Sequence, residues 1–289
     1  MLEVLNQHDW LLLVALATLG LVVGSFLNVV IYRLPLMMDS RWRKDCCQLL
    51  EVEEPPCDAT ISLSSPNSHC PHCKEGIKPW QNIPVLSYLL LAGKCGNCGV
   101  AISPRYPIVE LVTALMTVAL ASHYDASLAL LGAMLLTWAL ITLTMIDIDH
   151  QLLPDDITLP LMWLGLTFSA LGVTVSLHDA VLGAMLGYLS LWSVYWIFKL
   201  LTGKEGMGYG DFKLLAAMGA WLGWQSIPML ILLSSLVGAV CGIALMIATR
   251  RGKDVPIPFG PYLAVAGWVT LLWGDALMAY YMGAAGLQS

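Results

Sequence analysis

The sequence predicts an all-α polytopic membrane protein: about eight transmembrane helices with one small folded domain on the cytoplasmic side. Three observations carry that expectation. The 289 residues are 58% apolar and 12% charged, with mean hydropathy +0.73, and they include several apolar runs near the ~20 residues that cross a bilayer core. The charges sort to one side once those runs are numbered. The one long polar interruption, about 33–105, holds two C-x2-C pairs.

The candidate spans are 10–32, 106–124, 127–146, 158–177, 180–201, 212–225, 227–249 and 258–282. The first follows Glu3, His8 and Asp9 instead of a basic segment, and no small-residue cleavage site comes after it. It is therefore expected to be a retained span and not a removed signal peptide. The sixth is short, as suits a segment that begins at a Gly-rich break and is partly buried by its neighbours. With connections on alternating sides, all 14 Lys and Arg residues fall on one side. The other side carries Glu3, Asp9, Asp125, Asp179 and Asp275, with no basic residue. Basic loops stay in the cytoplasm, so both termini are expected outside, in the periplasm. The lipid bilayer is the expected partner, and no nucleic acid is expected. Gly20/Gly24, Gly183/Gly187, Gly219/Gly223 and Gly238/Gly242 form G-x-x-x-G pairs, read as close-packing positions of an intramolecular bundle.

The domain division that follows is 1–32, a first span; 33–105, a cytoplasmic domain; and 106–289, a seven-helix membrane domain. The middle piece is poor in apolar residues, and its acidic, Pro/Ser-containing centre from Glu51 to Pro66 is expected to be irregular. So small a core needs another source of stability. Cys70-Pro-His-Cys73 and Cys95-Gly-Asn-Cys98 supply one. C-x2-C turns aim paired thiolates at one ion, and two such turns give the four ligands of a tetrahedral structural Zn²⁺ site. Gly96 and Gly99 are expected to relieve the backbone there. Two alternatives stay open: a labile thiol cluster, or a site that uses His69 or His72 for one Cys. Four protein ligands leave no open metal position, so such a site stiffens the domain and does no catalysis. Cys46, Cys47, Cys57 and Cys241 have no such spacing and read as free thiols.

Two carboxylates stand out in the membrane domain. Asp211 closes the pattern Gly208-Tyr-Gly-Asp211 at the start of the sixth span, and Asp147 ends the third. An ionisable group at a membrane face suggests function, although Asp is also a favoured helix N-cap. Two aspartates on facing helices share one proton. The ionised one deprotonates a water that attacks a peptide carbonyl, and the protonated one supplies the oxyanion and the leaving amine. Neither G-x-S-x-G nor H-E-x-x-H is present to compete. Asp149, Asp155 and Asp156 read as solvated residues or contacts for a basic substrate segment, as does Glu205 nearby. Glu110, a turn into the second span, reads as an inter-helix or lipid-interface hydrogen-bonding group.

Gly208-x-Gly-Asp211, Ile146-Asp-Ile-Asp-His-Gln-Leu-Leu-Pro-Asp155 and the paired C-x2-C loop resemble the bifunctional type IV prepilin leader peptidase/N-methyltransferase family. Gly24-Ser-Phe-Leu-Asn28, Gln81-Asn-Ile-Pro84, Arg105-Tyr-Pro107 and Pro258-Phe-Gly-Pro261 match as well, in order, from about Gly24 to Gly274. The resemblance implies an inner-membrane GxGD aspartic endopeptidase with Asp147 and Asp211 as its catalytic pair. It implies that leaders are cut from type IV prepilins and type II secretion pseudopilin precursors, typically after Gly. The new N-terminal amine, usually of Phe, is then methylated from S-adenosylmethionine. Cys70, Cys73, Cys95 and Cys98 become the zinc ligands of a loop associated with methyl transfer. No residue-level signal places the S-adenosylmethionine pocket: there is no G-x-G-x-x-G after a strand, and Gly93-Lys94 reads as a simple turn. Other readings are a peptidase alone, a presenilin-type GxGD protease, or a non-enzymatic zinc-stabilised scaffold or transporter.

Overall fold

The computed structural model describes residues 9–52, 61–249 and 258–284. Glu3, His8, Cys57, Arg250, Arg251, Lys253 and both chain ends lie outside the described residues. Among the described residues every regular element is helical, and the α-helices carry the fold. They are α1 (Asp9–Leu50), α2 (Leu86–Leu90), α3 (Arg105–Ala119), α4 (Leu128–His150), α5 (Asp155–Ala170), α6 (Leu177–Thr202), α7 (Tyr209–Leu222), α8 (Ile227–Thr249) and α9 (Gly260–Ala284). Contacts divide the chain into two compact units, Met1–Ala126 and Ser127–Ser289.

Among the described residues, six helices are long and apolar enough to cross a membrane: Trp10–Leu50, Arg105–Ser122, Leu128–His150, Leu177–Thr202, Trp224–Ala244 and Gly260–Tyr280. A count of about eight is reached only by adding α5, with 16 residues, and α7, with 14. At 1.5 Å per residue these rise about 24 and about 21 Å, short of the ~30 Å hydrocarbon core. Backbone groups have no water to turn to in lipid, and the threonines follow the same rule. The hydroxyls of Thr113, Thr137, Thr142 and Thr167 each donate to the carbonyl four residues back.

In the first unit, α1 runs for 42 residues, well past the expected boundary at residue 32. Hydropathy falls there but helix propensity does not, because Leu34–Leu50 has no glycine and Pro35 alone interrupts the hydrogen-bond ladder. The buried face is Leu27, Ile31, Leu34 and Met38, at three- and four-residue spacing. Gly20 and Gly24 let α3 come close: a Cβ on Gly20 would sit 2.6 Å from the Ala114 Cα, and one on Gly24 2.8 Å from the Glu110 Cα. Beyond the apolar part, Arg33 is buried and donates to the carbonyls of Ser62, Leu63 and Pro66, at 2.9, 3.3 and 2.6 Å. This clasp ties the irregular segment 61–66 to α1.

In the second unit the short helix α7 is the core. Every residue from Asp211 to Trp221 except the half-buried Lys213 is buried. Glycines on the surrounding helices make room for it. A Cβ at Gly183 would strike the Gly219 carbonyl, and one at Gly187 would come 2.6 Å from the Leu215 carbonyl oxygen. On the opposite side Trp221 fills a slot between Gly132 and Gly165 and donates from Nε1 to the Leu161 carbonyl at 2.8 Å. Phe168 packs on its ring at 5.2 Å.

Because the atoms facing Gly183 are backbone, they cannot swing aside. Gly183→Ala is expected to cost about 1–3 kcal/mol by overpacking, read as a lower midpoint of thermal unfolding in detergent. Gly76→Ala, whose Cβ would meet open space, is expected to leave that midpoint unchanged.

Candidate active site and cysteine cluster

Helix α4 stops where Gln151 takes a left-handed conformation, φ 52°, its amide closing on the Asp147 carbonyl at 2.9 Å. Asp147 therefore sits one turn from the end of α4. Its side chain is 5% exposed. Leu152, Leu153 and Pro154 then lead directly into α5. On α7, the N-cap is Gly208, in an extended conformation, so Asp211 is the third helical residue and not the N-cap. It is 6% exposed.

These two carboxyl groups come together. The Gly260 amide, at the first residue of α9, donates to Asp147 Oδ2 at 3.0 Å. A Cβ on Gly260 would lie 2.6 Å from that oxygen and 3.0 Å from Leu153 Cδ2. Leu153 also packs on Gly210, beside Asp211, where a Cβ would approach to 2.7 Å. Leu153 thus wedges between the two glycines that flank the acids, and each carboxyl group lies within the other's electrostatic reach. The arrangement is a buried pair of carboxyl groups bounded by backbone at Gly208, Gly210 and Gly260. Two carboxyl groups so placed can supply an acid and a base.

The other acids stand differently. Asp149 faces outward and is exposed. Asp155 takes both carboxylate oxygens to Lys213 Nζ at 2.7 Å, and Glu205 accepts from Lys199 Nζ at 2.8 Å. So two of the residues expected to contact a basic substrate segment are engaged by the protein's own lysines. The Lys199 hydrogen bond and charge hold the exposed Glu205 carboxyl below its ordinary range. Lys199 also reaches the Tyr195 hydroxyl at 3.1 Å and lies over the Tyr195 and Trp196 rings. These lysines pin the two ends of the glycine turn, a role that spacing alone did not suggest. For Lys199 a signal was available, since Glu205 lies six residues on; for Lys213 none was, since Asp155 lies 58 residues away.

In the first unit, Cys70, Cys73, Cys95 and Cys98 gather with all sulfur atoms within 4.8 Å of one another. Two near-identical turns build the cluster. In one, the Cys70 amide bonds the Glu75 carbonyl at 2.9 Å and the Lys74 amide bonds the Cys70 carbonyl at 2.9 Å. In the other, Cys95 bonds Val100 at 2.8 Å and Gly99 bonds Cys95 at 2.9 Å. The left-handed position falls on Lys74, φ 62°, and Gly99, φ 71°. Gly96 does not occupy it, contrary to expectation. Its missing side chain instead admits Gln81, whose Nε2 would lie 2.7 Å from a Cβ. His69 turns to the Asn67 carbonyl at 3.0 Å, so the four sulfurs alone form the cluster. Gly93, φ 67°, closes an ordinary turn onto the Tyr88 carbonyl at 2.9 Å.

The donor set fits a tetrahedral ion. Bonds of ~2.3 Å to four sulfurs give edges of about 3.8 Å, and Cys70 Sγ and Cys98 Sγ stand 3.8 Å apart. The amides of Cys98 and Asn97 pull the Cys95 thiol down to about 6. The Glu75 amide and then the Asn97 side chain, whose Nδ2 lies 3.6 Å from Cys73 Sγ, lower Cys73. The Val100 amide acts the same way on Cys98, but desolvation and the neighbouring sulfurs outweigh it and push that thiol up to about 11. A fourth thiolate beside three others needs a cation to offset it.

A family model described as the bacterial peptidase A24 N-terminal domain matches residues 18–124, and one described as the type IV leader peptidase family matches residues 134–243. A prepilin leader peptidase/N-methyltransferase of Pseudomonas aeruginosa is 52% identical over 288 residues, covering 100% of this chain and 99% of the relative. Its counterpart from Aeromonas hydrophila is 54% identical over 287 residues, 98% of each chain, and that from Legionella pneumophila 43% over 277 residues, 96% of each. No solved structure matches. The chain belongs to the type IV leader peptidase family, among its prepilin leader peptidase/N-methyltransferases.

Proposed function

We propose that this protein is a two-activity membrane enzyme: it removes the leader peptide from type IV prepilins, and then N-methylates the amine that cleavage exposes. The observation that carries the reading is the buried pair Asp147 and Asp211, bracketed by Leu153. In the proposed mechanism one carboxylate takes a proton from a water held between the two. The resulting hydroxide adds to the scissile carbonyl as the protonated partner gives its proton to the carbonyl oxygen. The first carboxyl then passes the proton it took from water to the leaving amine as the C–N bond breaks, and the partner takes a proton back from the gem-diol hydroxyl. The Gly260 amide orients Asp147 during these steps, and the Lys213–Asp155 and Lys199–Glu205 pairs hold the glycine turn that carries Asp211.

Pseudopilin precursors of type II secretion would be further substrates. The protein would lie in the bacterial inner membrane with its active site at the cytoplasmic face and its termini in the periplasm, on the strength of the one-sided distribution of basic residues. Residues 106–289 would be the peptidase part and 33–105 the zinc-binding part associated with methyl transfer, with 1–32 the first span. Cys70, Cys73, Cys95 and Cys98 would hold Zn²⁺ as a closed structural site. S-adenosylmethionine would be the methyl donor, its sulfonium making the methyl carbon electrophilic.

Asp147→Asn and Asp211→Asn, each inserted normally, are expected to lower leader cleavage by about 10³-fold or more, measured with purified protein and a prepilin substrate. Cleavage retained in either variant would remove the pair from the mechanism. Gly260→Ala should displace the Asp147 carboxyl and reduce the cleavage rate about 10²-fold while the fold persists. For the cysteine cluster, metal analysis of the purified chain should find one zinc ion per chain, lost in Cys70→Ser or Cys98→Ser. Chelation is expected to loosen the 61–104 segment, read as faster proteolysis there, with cleavage by the membrane pair preserved.

A further inference from the structure

Only three carboxylic side chains are nine-tenths buried among the described residues: Asp147, Asp211 and Glu110. The first two form the pair described above. Glu110 lies in the other unit, on α3, 7% exposed. Burying a carboxylate without a cation is costly, and none of the ion pairs among the described residues includes it. In a membrane helix, an ionisable group kept in such a place points to a function.

The surroundings of Glu110 hold it in place without neutralising it. Val85 donates its amide to Glu110 Oε2 at 2.8 Å. Val85 has φ 59°, ψ −47°, a conformation that a β-branched residue adopts only under constraint. Gly24 brings α1 against the Glu110 backbone, and Asn28 Nδ2 ties the same stretch of α1 to the Tyr106 carbonyl at 3.1 Å. The segment before α2 thus meets the Glu110 carboxyl, and α1 packs on the stretch of α3 that carries it. An inter-helix hydrogen bond alone would be made as well by a neutral Gln, with no charge to desolvate.

The methyl-transfer half of the proposed function requires a carboxylate of this kind. Cleavage leaves an N-terminal ammonium, which has no lone pair for a methyl donor. Resting on that two-activity reading, we infer that Glu110 receives the new α-ammonium and takes its proton. In the step, an N–H bond breaks and the proton moves to the Glu110 carboxylate, leaving a neutral amine. The amine nitrogen then bonds the methyl carbon of the sulfonium donor as the carbon–sulfur bond breaks, with that electron pair passing to sulfur. The methylated ammonium loses one proton in turn, and Glu110 returns its own to solvent. A dry site assists, because it favours the neutral amine and acid over the ion pair relative to water.

The test is Glu110→Gln in the full-length protein, since Gln keeps the shape and the acceptor for the Val85 amide. Leader cleavage is expected at the wild-type rate, and transfer of labelled methyl to the cleaved substrate about 10²-fold lower or less. A second readout needs no donor: binding of a synthetic peptide matching the mature N-terminus, with its α-amine free or acetylated. The wild-type chain should prefer the free amine by about tenfold or more, and Glu110→Gln should abolish the preference. Normal methylation in the variant, or an undiminished preference for the free amine, overturns the inference. Loss of cleavage or folding along with methylation also overturns it, by making Glu110 a structural anchor. Failure of the wild-type chain itself to transfer label would instead count against the two-activity reading.

Discussion

Backbone-to-backbone contact at glycine is the constraint on which the rest of the second unit depends. A helix too short to span lipid, α7, carries Asp211 and is buried from Asp211 to Trp221 apart from Lys213. Between helices in a bilayer no hydrophobic gain drives association, so the contact must come from close packing. Gly183, Gly187 and Gly219 provide it on one side, and Gly132 and Gly165 admit Trp221 on the other. The same device reappears at the acids. Gly210 and Gly260 press on Leu153, and only because neither has a side chain do α7 and α9 approach the end of α4 closely enough for Asp147 and Asp211 to meet.

Charge in this unit is distributed in two ways. At the exposed ends of the glycine turn, Asp155 and Glu205 are each matched by a lysine, contacts that screen easily and serve mainly to fix geometry. Inside, Asp147 has a backbone amide as its hydrogen-bond partner and its fellow carboxyl as its charged neighbour. That contrast gives the interior pair its chemical interest, since groups already neutralised by a cation have little reason to exchange protons. The cysteine cluster solves a different problem. The 61–104 segment has little apolar core of its own, and four sulfurs within 4.8 Å can join two distant turns at one point.

Much of this was legible in the sequence because the signals are local. Apolar run length located 227–249, matching α8 at Ile227–Thr249, and C-x2-C spacing named the four sulfurs that gather. What spacing could not show depends on partners remote in the chain. The Gly260 amide lies 113 residues from Asp147, and the Lys213–Asp155 pair spans 58 residues. Hydropathy also reports contact with lipid and not helicity, so it ended the first span at residue 32, while α1 continues to Leu50. The turn at Lys74 was missed for a related reason: glycine was expected where a lysine takes the left-handed position, and Gly96 is needed for the approach of Gln81.

The account stands or falls on whether residues 147 and 211 face each other in the membrane. The direct measurement is intramolecular cross-linking with a short bifunctional thiosulfonate, in a chain whose Cys46, Cys47, Cys57 and Cys241 are replaced by Ser. Asp147→Cys combined with Asp211→Cys should link efficiently, and Asp149→Cys combined with Asp211→Cys should not. Absence of the first linkage, or equal yield in both combinations, would contradict the structure's central pairing.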